Sequence, residues 1–280
     1  MPDPLLQIGD SLARMAEALT RLAPLPLAPP PGDAPAYRWD GVALHVADFR
    51  PLALDLLTGI DEAKALLVEN GRRHARGHAA HDALLWGARG SGKSALVKAS
   101  IGALRDEDYD LALVELGNDA LATLPALFDV LAKGERRVIV FIDDIGFDDG
   151  LNGARLLRSV LDGGAAARPG SVRLYVTSNR RHIVDRDIAE NQKDEQDPAI
   201  NVRDVVDDKL ALADRFGISL GFHVADQPTY LAMVAAYATA HALPFDPADA
   251  VRFATQRGSR SGRVAWHYIV ELVGRAGRAL

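Results

Sequence analysis

Apolar positions recur along the chain with two different periods, and the change between them divides the sequence. Near the start, Leu5, Ile8, Leu12, Met15, Leu19 and Leu22 return every three or four residues, interrupted by Asp10, Arg14 and Glu17, which predicts an amphipathic helix over about 4–22. The stretch from Pro24 to Pro35 cannot extend it, because proline removes backbone donors and favours extended polyproline geometry, so this stretch reads as a linker. Tyr37 to Val46 alternates in part, as a short hairpin or an irregular strand does, and Asp48-Phe49-Arg50-Pro51 introduces a helical region running to about Gly71. The pattern then changes to short apolar runs at Ala83 to Trp86, Leu111 to Leu116, Val138 to Ile142, Val172 to Val176 and Ile218 to Val224. Runs of this kind suit strands buried on both faces, and with helical patterns between them they predict a mainly parallel sheet covered on both sides. From Gln227 onward only the helical period remains, with candidate helices at about 227–242, 246–257 and 261–278. The expected organisation is an N-terminal helix, linker and hairpin over 1–51, a core over 52–225 and a small helical unit over 226–280.

Directly behind the first apolar run stands Gly87-Ala88-Arg89-Gly90-Ser91-Gly92-Lys93-Ser94, a complete G-x-x-x-x-G-K-[ST] phosphate loop. A phosphate chain needs converging backbone N–H groups, close approach by the backbone and a cation that reaches past it. Gly87, Gly90 and Gly92 permit the approach, Lys93 reaches the β- and γ-phosphates, and the Ser94 hydroxyl is placed to ligate Mg²⁺. Ala95 to Ala99 continues as a helix whose N-terminal N–H groups and dipole then face the phosphates. The run Val138 to Ile142 ends in Asp143-Asp144, at the strand edge where doubly wound sheets bind ligands. Asp143 is the candidate for holding Mg²⁺ opposite Ser94, and Asp144 for polarising an attacking water. The fold class is therefore α/β: a P-loop NTPase core with a parallel five-stranded sheet sandwiched by helices, plus a small C-terminal helical lid.

Over about residues 50–280 the chain resembles the AAA+ ATPases, through several ordered motifs. Leu57-Thr58-Gly59-Ile60-Asp61-Glu62-Ala63-Lys64 is similar to the segment that packs on the adenine in that superfamily, with Gly59 and Ile60 as the corresponding positions. Val172 to Val176 followed by Thr177-Ser178-Asn179 resembles the sensor 1 strand, and Asn179 is its polar residue. Leu212-Ala213-Asp214-Arg215-Phe216-Gly217 resembles the arginine-finger segment, and Gly258-Ser259-Arg260-Ser261-Gly262-Arg263 resembles sensor 2. The resemblance implies that Asn179, Arg215 and Arg263 sense or stabilise the γ-phosphate, and that Arg215 acts on a neighbouring subunit. The alternative for Arg215 is a local ion pair with Asp214 or Asp208, and for Arg263 a solvated position in a first helical turn. Most members of the superfamily place Glu where Asp144 stands. Asp143-Asp144-Ile145-Gly146-Phe147 is similar to the arrangement in bacterial replication initiators, and the whole pattern looks closest to a bacterial AAA+ family without a settled biological role.

Composition narrows the partners. At 280 residues the chain buries a substantial core, and its net charge of -6 offers no bulk attraction to polyanions. Arg257, Arg260, Arg263, Arg275 and Arg278 make the C-terminal region locally basic, yet no aromatic ladder or helix-turn-helix signature accompanies them, so nucleic acid is not the favoured partner. The absence of Cys removes disulfides, thiolate nucleophiles and Cys-ligated zinc. His74, His78 and His81 lie near one another, but Gly71 and Gly77 weaken the helix that would align them and no carboxylate cluster joins them, so no metal is expected there. The N-terminal pattern is not that of an export signal and no segment is apolar enough to span a bilayer, so cytoplasmic residence is the default expectation. The mixed-charge segment from Arg180 to Asp214 reads as a solvated helical face or as a contact that moves with nucleotide state. Together these features predict an Mg²⁺-dependent ATPase that binds ATP as a homo-oligomer and acts on a macromolecular partner. The competing expectations are an ATP-binding switch with little turnover and a small-molecule kinase, the latter opposed by the helical lid.

Overall fold

The computed structural model describes residue 15 and residues 29–145, 157–161, 168–179 and 214–279. The expected N-terminal helix (apart from Met15, which is helical), Gly146, Phe147 and almost all of the charged segment 180–214 lie outside the described residues. Along the described chain the elements are β1 (Ala36–Trp39), β2 (Leu44–Val46), a 3-10 turn at Leu54–Leu56, α1 (Asp61–Ala75), β3 (Ala83–Gly87), α2 (Lys93–Asp106), β4 (Leu111–Leu116), a second 3-10 stretch (Asn118–Thr123) and α3 (Leu124–Leu131). They continue with β5 (Arg137–Ile142), β6 (Val172–Ser178), β7 (Ile218–Phe222), α4 (Gln227–Ala240), α5 (Pro247–Gln256) and α6 (Gly262–Arg275).

The strands form one seven-stranded sheet in the order β2-β1-β4-β5-β6-β3-β7. All five strands read from the apolar runs are present, and every pairing among them is parallel. The sheet is larger than the expected five strands because the hairpin of 36–46 joins it: β1 runs parallel to β4, with Tyr37 opposite Val114, while β2 turns back antiparallel. Burial explains why this hairpin is not a separate piece. Trp39 is inside the core and its indole N–H donates to Thr123 Oγ1 at 2.8 Å.

Alternation along each strand sends side chains to two apolar layers. In β3, Leu84 enters one layer with Val114, Val140 and Leu174, beneath α3 and the helical residues 157–161. Ala83 and Leu85 enter the other with Leu96, Ile101, Phe141 and Tyr175, beneath α1 and α2. Helix α1 runs to Ala75, past the end expected near Gly71, and Gly71 is buried within it. A Cβ there would stand 2.7 Å from Leu104 Cδ1, so this glycine permits close approach of α1 and α2 rather than ending a helix.

The three C-terminal helices are bounded by caps. Asp226 accepts from Thr229 N–H at 2.9 Å, Asp246 from Ala248 N–H at 3.0 Å and Ser261 from Val264 N–H at 3.3 Å, with Pro228 and Pro247 in the first turns of α4 and α5. Their shared core of Tyr230, Val234, Tyr268 and Ile269 also receives Leu52 and Leu56 from the segment before α1. The lid is thus packed against the approach to the phosphate loop. Among the described residues no helix is long and apolar enough to cross a membrane.

Candidate functional site

The parallel strands all end on one side, and β3, β5 and β6 bring the chemistry there. The loop after β3 is shaped by glycines, through close backbone approach at Gly87 and through a left-handed dihedral at Gly92. Gly87 has φ +125°, and a Cβ on it would lie 2.1 Å from the Phe222 carbonyl oxygen of β7, which instead accepts the Ala88 N–H at 2.8 Å. Gly92 has φ +98° and caps α2, so the first N–H groups of that helix open toward the loop.

Lys93 is buried, at 5% exposure, and its ammonium donates to the carbonyls of Gly87 at 3.0 Å and Ala88 at 2.7 Å and to Asn179 Oδ1 at 3.0 Å. Burial lowers its pKa, Asp144 and Asp143 oppose that shift, and Arg263 and Arg89 add to it. Ser94 Oγ donates to Asp143 Oδ1 at 2.6 Å. Thr177, one strand away on β6, donates to the same carboxylate oxygen at 2.5 Å and accepts the Asp144 N–H at 2.8 Å. Asp144 has φ +53°, a left-handed conformation that costs a non-glycine residue about 1 kcal/mol and that Asp tolerates better than most. Asn118, just beyond β4, donates to the Asp144 carbonyl at 3.1 Å, and Ile145 N–H to the Thr177 carbonyl at 2.8 Å.

A cavity of about 370 Å³ gathers these groups, with Lys93, Ser94, Asp143, Asp144, Asn179 and Arg263 on its polar side. Leu52, Leu56, Ile60, Tyr237 and Trp266 form its apolar side. Arg263 enters from the first turn of α6, whose N–H donates weakly to the Gly90 carbonyl at 3.4 Å. A second cavity of about 830 Å³ lies along the other flank of the loop and takes in Gly59, Ala88, Arg89 and His223. The two share Ile60, Ser91 and Met233. Gly59 packs so closely on α4 that a Cβ would stand 2.4 Å from Thr229 Cγ2.

Arg215 is the sequence-nominated residue that the chain does not bring to this place. It stands in the turn before β7, at the N-terminal edge of the sheet, and lines neither cavity. The three histidines also separate: His74 is buried in α1 against the Val138 carbonyl, while His78 and His81 follow the helix end and are exposed. Among the described residues no group of three or more His, Cys, Asp or Glu is placed to hold a metal ion.

The model of a family described as "Protein of unknown function (DUF815)" matches residues 32–276. The chain belongs to this family. A stretch of 123 residues is 32% identical to AAA-ATPase At4g30250 of Arabidopsis thaliana, covering 40% of this chain and 22% of that protein, so the chain spans about a fifth of the length of the curated relative it matches. Among solved structures, the Thermotoga maritima RuvB Holliday junction branch migration motor is 18% identical with a TM-score of 0.51, over 82% of this chain and 68% of that one. Domain III of the Thermotoga maritima replication initiation protein DnaA is 15% identical with a TM-score of 0.51, over 84% and 94%. The Aeropyrum pernix Orc1 protein, solved in complex with DNA, is 15% identical with a TM-score of 0.54, over 80% and 65%. The fold of this DUF815 chain is that of the AAA+ P-loop ATPases.

Thr177 and Asn118 are site residues that sequence reasoning did not assign. Thr177 was visible only as part of the strand leading to Asn179. Its one signal was a hydroxyl near the end of a largely apolar strand, where a buried polar group must find a partner. Asn118 carried no local signal, because its partners are the carbonyls that follow the neighbouring strand β5.

Proposed function

We propose that this DUF815 protein binds ATP with Mg²⁺ in the 370 Å³ cavity and hydrolyses it as an oligomeric AAA+ ATPase, coupling nucleotide state to a macromolecular partner. The observation that carries this reading is the convergence of Lys93, Ser94, Asp143, Asp144, Asn179 and Arg263 on one cavity from four separate parts of the chain. The donor set fits the metal: Ser94 Oγ and Asp143 Oδ1, 2.6 Å apart, are hard oxygen ligands of the kind Mg²⁺ takes alongside water. When bound, Mg²⁺ neutralises charge on the β- and γ-phosphate oxygens.

The chain's own groups do the rest. Lys93 exchanges carbonyl partners for phosphate oxygens, a gain for a desolvated cation that meets no carboxylate in the described structure. Loop residues Ala88, Arg89, Gly90, Ser91 and Gly92 supply backbone and space around the phosphates. Asp144 orients the water, and Asn179 and Arg263 bear on the γ-phosphate. Gly59 and Ile60 stand where the lid meets the core, with Ile60 offering an apolar contact for the base. Arg215, which does not line its own chain's cavity, is assigned to the site of a neighbouring copy, where an arginine of this kind is worth roughly 10³ to 10⁵ in rate. A protein client is favoured over nucleic acid, since Arg275 is paired with Glu271 and Asp249 and Arg263 is turned into the cavity.

A second reading, an ATP-binding switch with little turnover, is favoured by Asp144 itself, whose side chain is one methylene shorter than the usual Glu. Phosphate release measured across protein concentrations, with Lys93→Ala as the blank, separates the two. Activity that rises more than proportionally with concentration and disappears in the variant supports the oligomeric ATPase. Tight ATP binding without release above the blank supports the switch.

A further inference from the structure

The Asp143 carboxylate oxygen that meets Ser94 is also held by Thr177, and Thr177 meets the next residue as well. Its hydroxyl donates its hydrogen to Asp143 Oδ1 and uses a lone pair to accept the Asp144 N–H, so one side-chain oxygen ties together the two carboxylate-bearing residues. The Thr177 carbonyl takes the Ile145 N–H at 2.8 Å, which fastens the chain on the far side of Asp144 to the same residue of β6. Between these ties Asp144 is held at φ +53°. Without the hydroxyl, the Asp144 N–H has no replacement acceptor among its described contacts, and a left-handed residue relaxes toward ordinary dihedrals.

We infer that Thr177 is a positioning residue that couples the metal-side carboxylate of Asp143 to the geometry of Asp144. The inference rests on the ATPase reading above and deepens it. When the Ser94 hydroxyl turns from Asp143 toward a metal, the Thr177 hydroxyl remains on Oδ1 and fixes the rotation of the carboxylate, so that its other lone pairs face the cavity. The same hydroxyl fixes the peptide from which the Asp144 side chain projects. Thr177 is 1% exposed and lines neither cavity, so it acts through these two residues rather than on nucleotide. Lys93 and Asn179 reach the cavity without it, and ATP affinity in the absence of metal therefore does not depend on it.

The test compares Thr177→Val, which keeps shape and loses both bonds, with Thr177→Ser, which keeps the hydroxyl. Two readouts are taken on the full chain: the strengthening of ATP binding by added Mg²⁺, and the kcat and KM of phosphate release. The expected result is that Thr177→Val binds ATP without Mg²⁺ within twofold of wild type, loses most of the Mg²⁺-dependent strengthening, and falls roughly 10²-fold in kcat with little change in KM. Thr177→Ser restores both within about threefold, which a loss through misfolding or packing alone does not predict. Wild-type Mg²⁺ dependence in Thr177→Val, or a Ser variant as impaired as the Val variant, overturns the inference. If wild-type protein releases no phosphate, the hydrolysis reading fails, and the Mg²⁺-binding readout alone decides the role of Thr177.

Discussion

The two ends of the parallel sheet are both rich in charge and use it in opposite ways. At the N-terminal edge, Asp82 is 8% exposed, accepts the Leu174 N–H at 2.8 Å and pairs with Arg168, while Arg173 donates to the carbonyls of Ala80 at 2.8 Å and Val172 at 2.7 Å. These charges are closed within the chain. At the C-terminal edge, among the described residues, Lys93 donates only to carbonyl and amide oxygens, Asp143 is met by hydroxyls, and Arg263 makes no ion pair with either Asp143 or Asp144. Opposite charges there share one cavity without neutralising each other. On the ATPase reading proposed above, the contrast separates charge that holds a fold from charge that meets a ligand.

The same substitution at the two edges gives the sharpest form of this contrast. Asp144→Asn removes the charge proposed to polarise the attacking water, in an exposed position, so kcat is expected to fall by roughly 10² or more while ATP affinity and melting temperature stay near wild type. A parallel loss of binding would show that Asp144 serves the ground state instead. Asp82→Asn keeps an acceptor for Leu174 but loses the charge that meets Arg168. It costs about 2 kcal/mol in a denaturant titration and leaves ATP affinity unchanged, and an effect on binding as large as that on stability would erase the distinction between the edges.

A pH titration of stability tests the closed edge by another route. His74 is fully buried beside Val138, and burial, followed by the charges of Arg173 and then Arg137, holds its pKa down to about 4. The unfolded chain takes up this proton near pH 6.5 and the folded chain does not, so stability is complete above that pH. It declines as pH falls from about 6.5 to about 4, by roughly 3 kcal/mol from this group. His74→Gln flattens that limb, and an unchanged limb would assign the decline to other groups. The smallest expected effect is at the seam between core and lid. Gly59→Ala places a Cβ against Thr229 Cγ2 at 2.4 Å and lowers ATP affinity a few-fold, and the additional change Thr229→Ser recovers part of the loss. Independent, additive effects in that double variant would contradict a direct contact between the two residues.

The fold was legible where the information was local. Short apolar runs located β3 to β7, because strands so rich in apolar residues need no partner to be recognised, even β7 at the sheet edge with Ser219 and Gly221 exposed. The hairpin's place in the sheet was not legible, since β1 pairs with β4 across some seventy intervening positions and nothing within 36–46 names that partner. Gly71 misled for a related reason: its value is the approach of Leu104 on another helix, which local propensity does not see. The loop 87–94 was readable because phosphate binding uses consecutive residues. The left-handed Asp144, and its ties to Thr177 and Asn118, came from three separate strand ends, and no spacing rule connects them.

Calorimetric titration of the full chain with ATP, with and without Mg²⁺, repeated on Asp143→Asn, tests Mg²⁺-ATP binding at this sheet edge. The expected result is one ATP per chain, tighter binding when Mg²⁺ is present, and loss of that strengthening in the variant with metal-free binding retained. Binding that is absent, or indifferent to Mg²⁺ in both proteins, would contradict the assignment of this sheet edge as an Mg²⁺-ATP site.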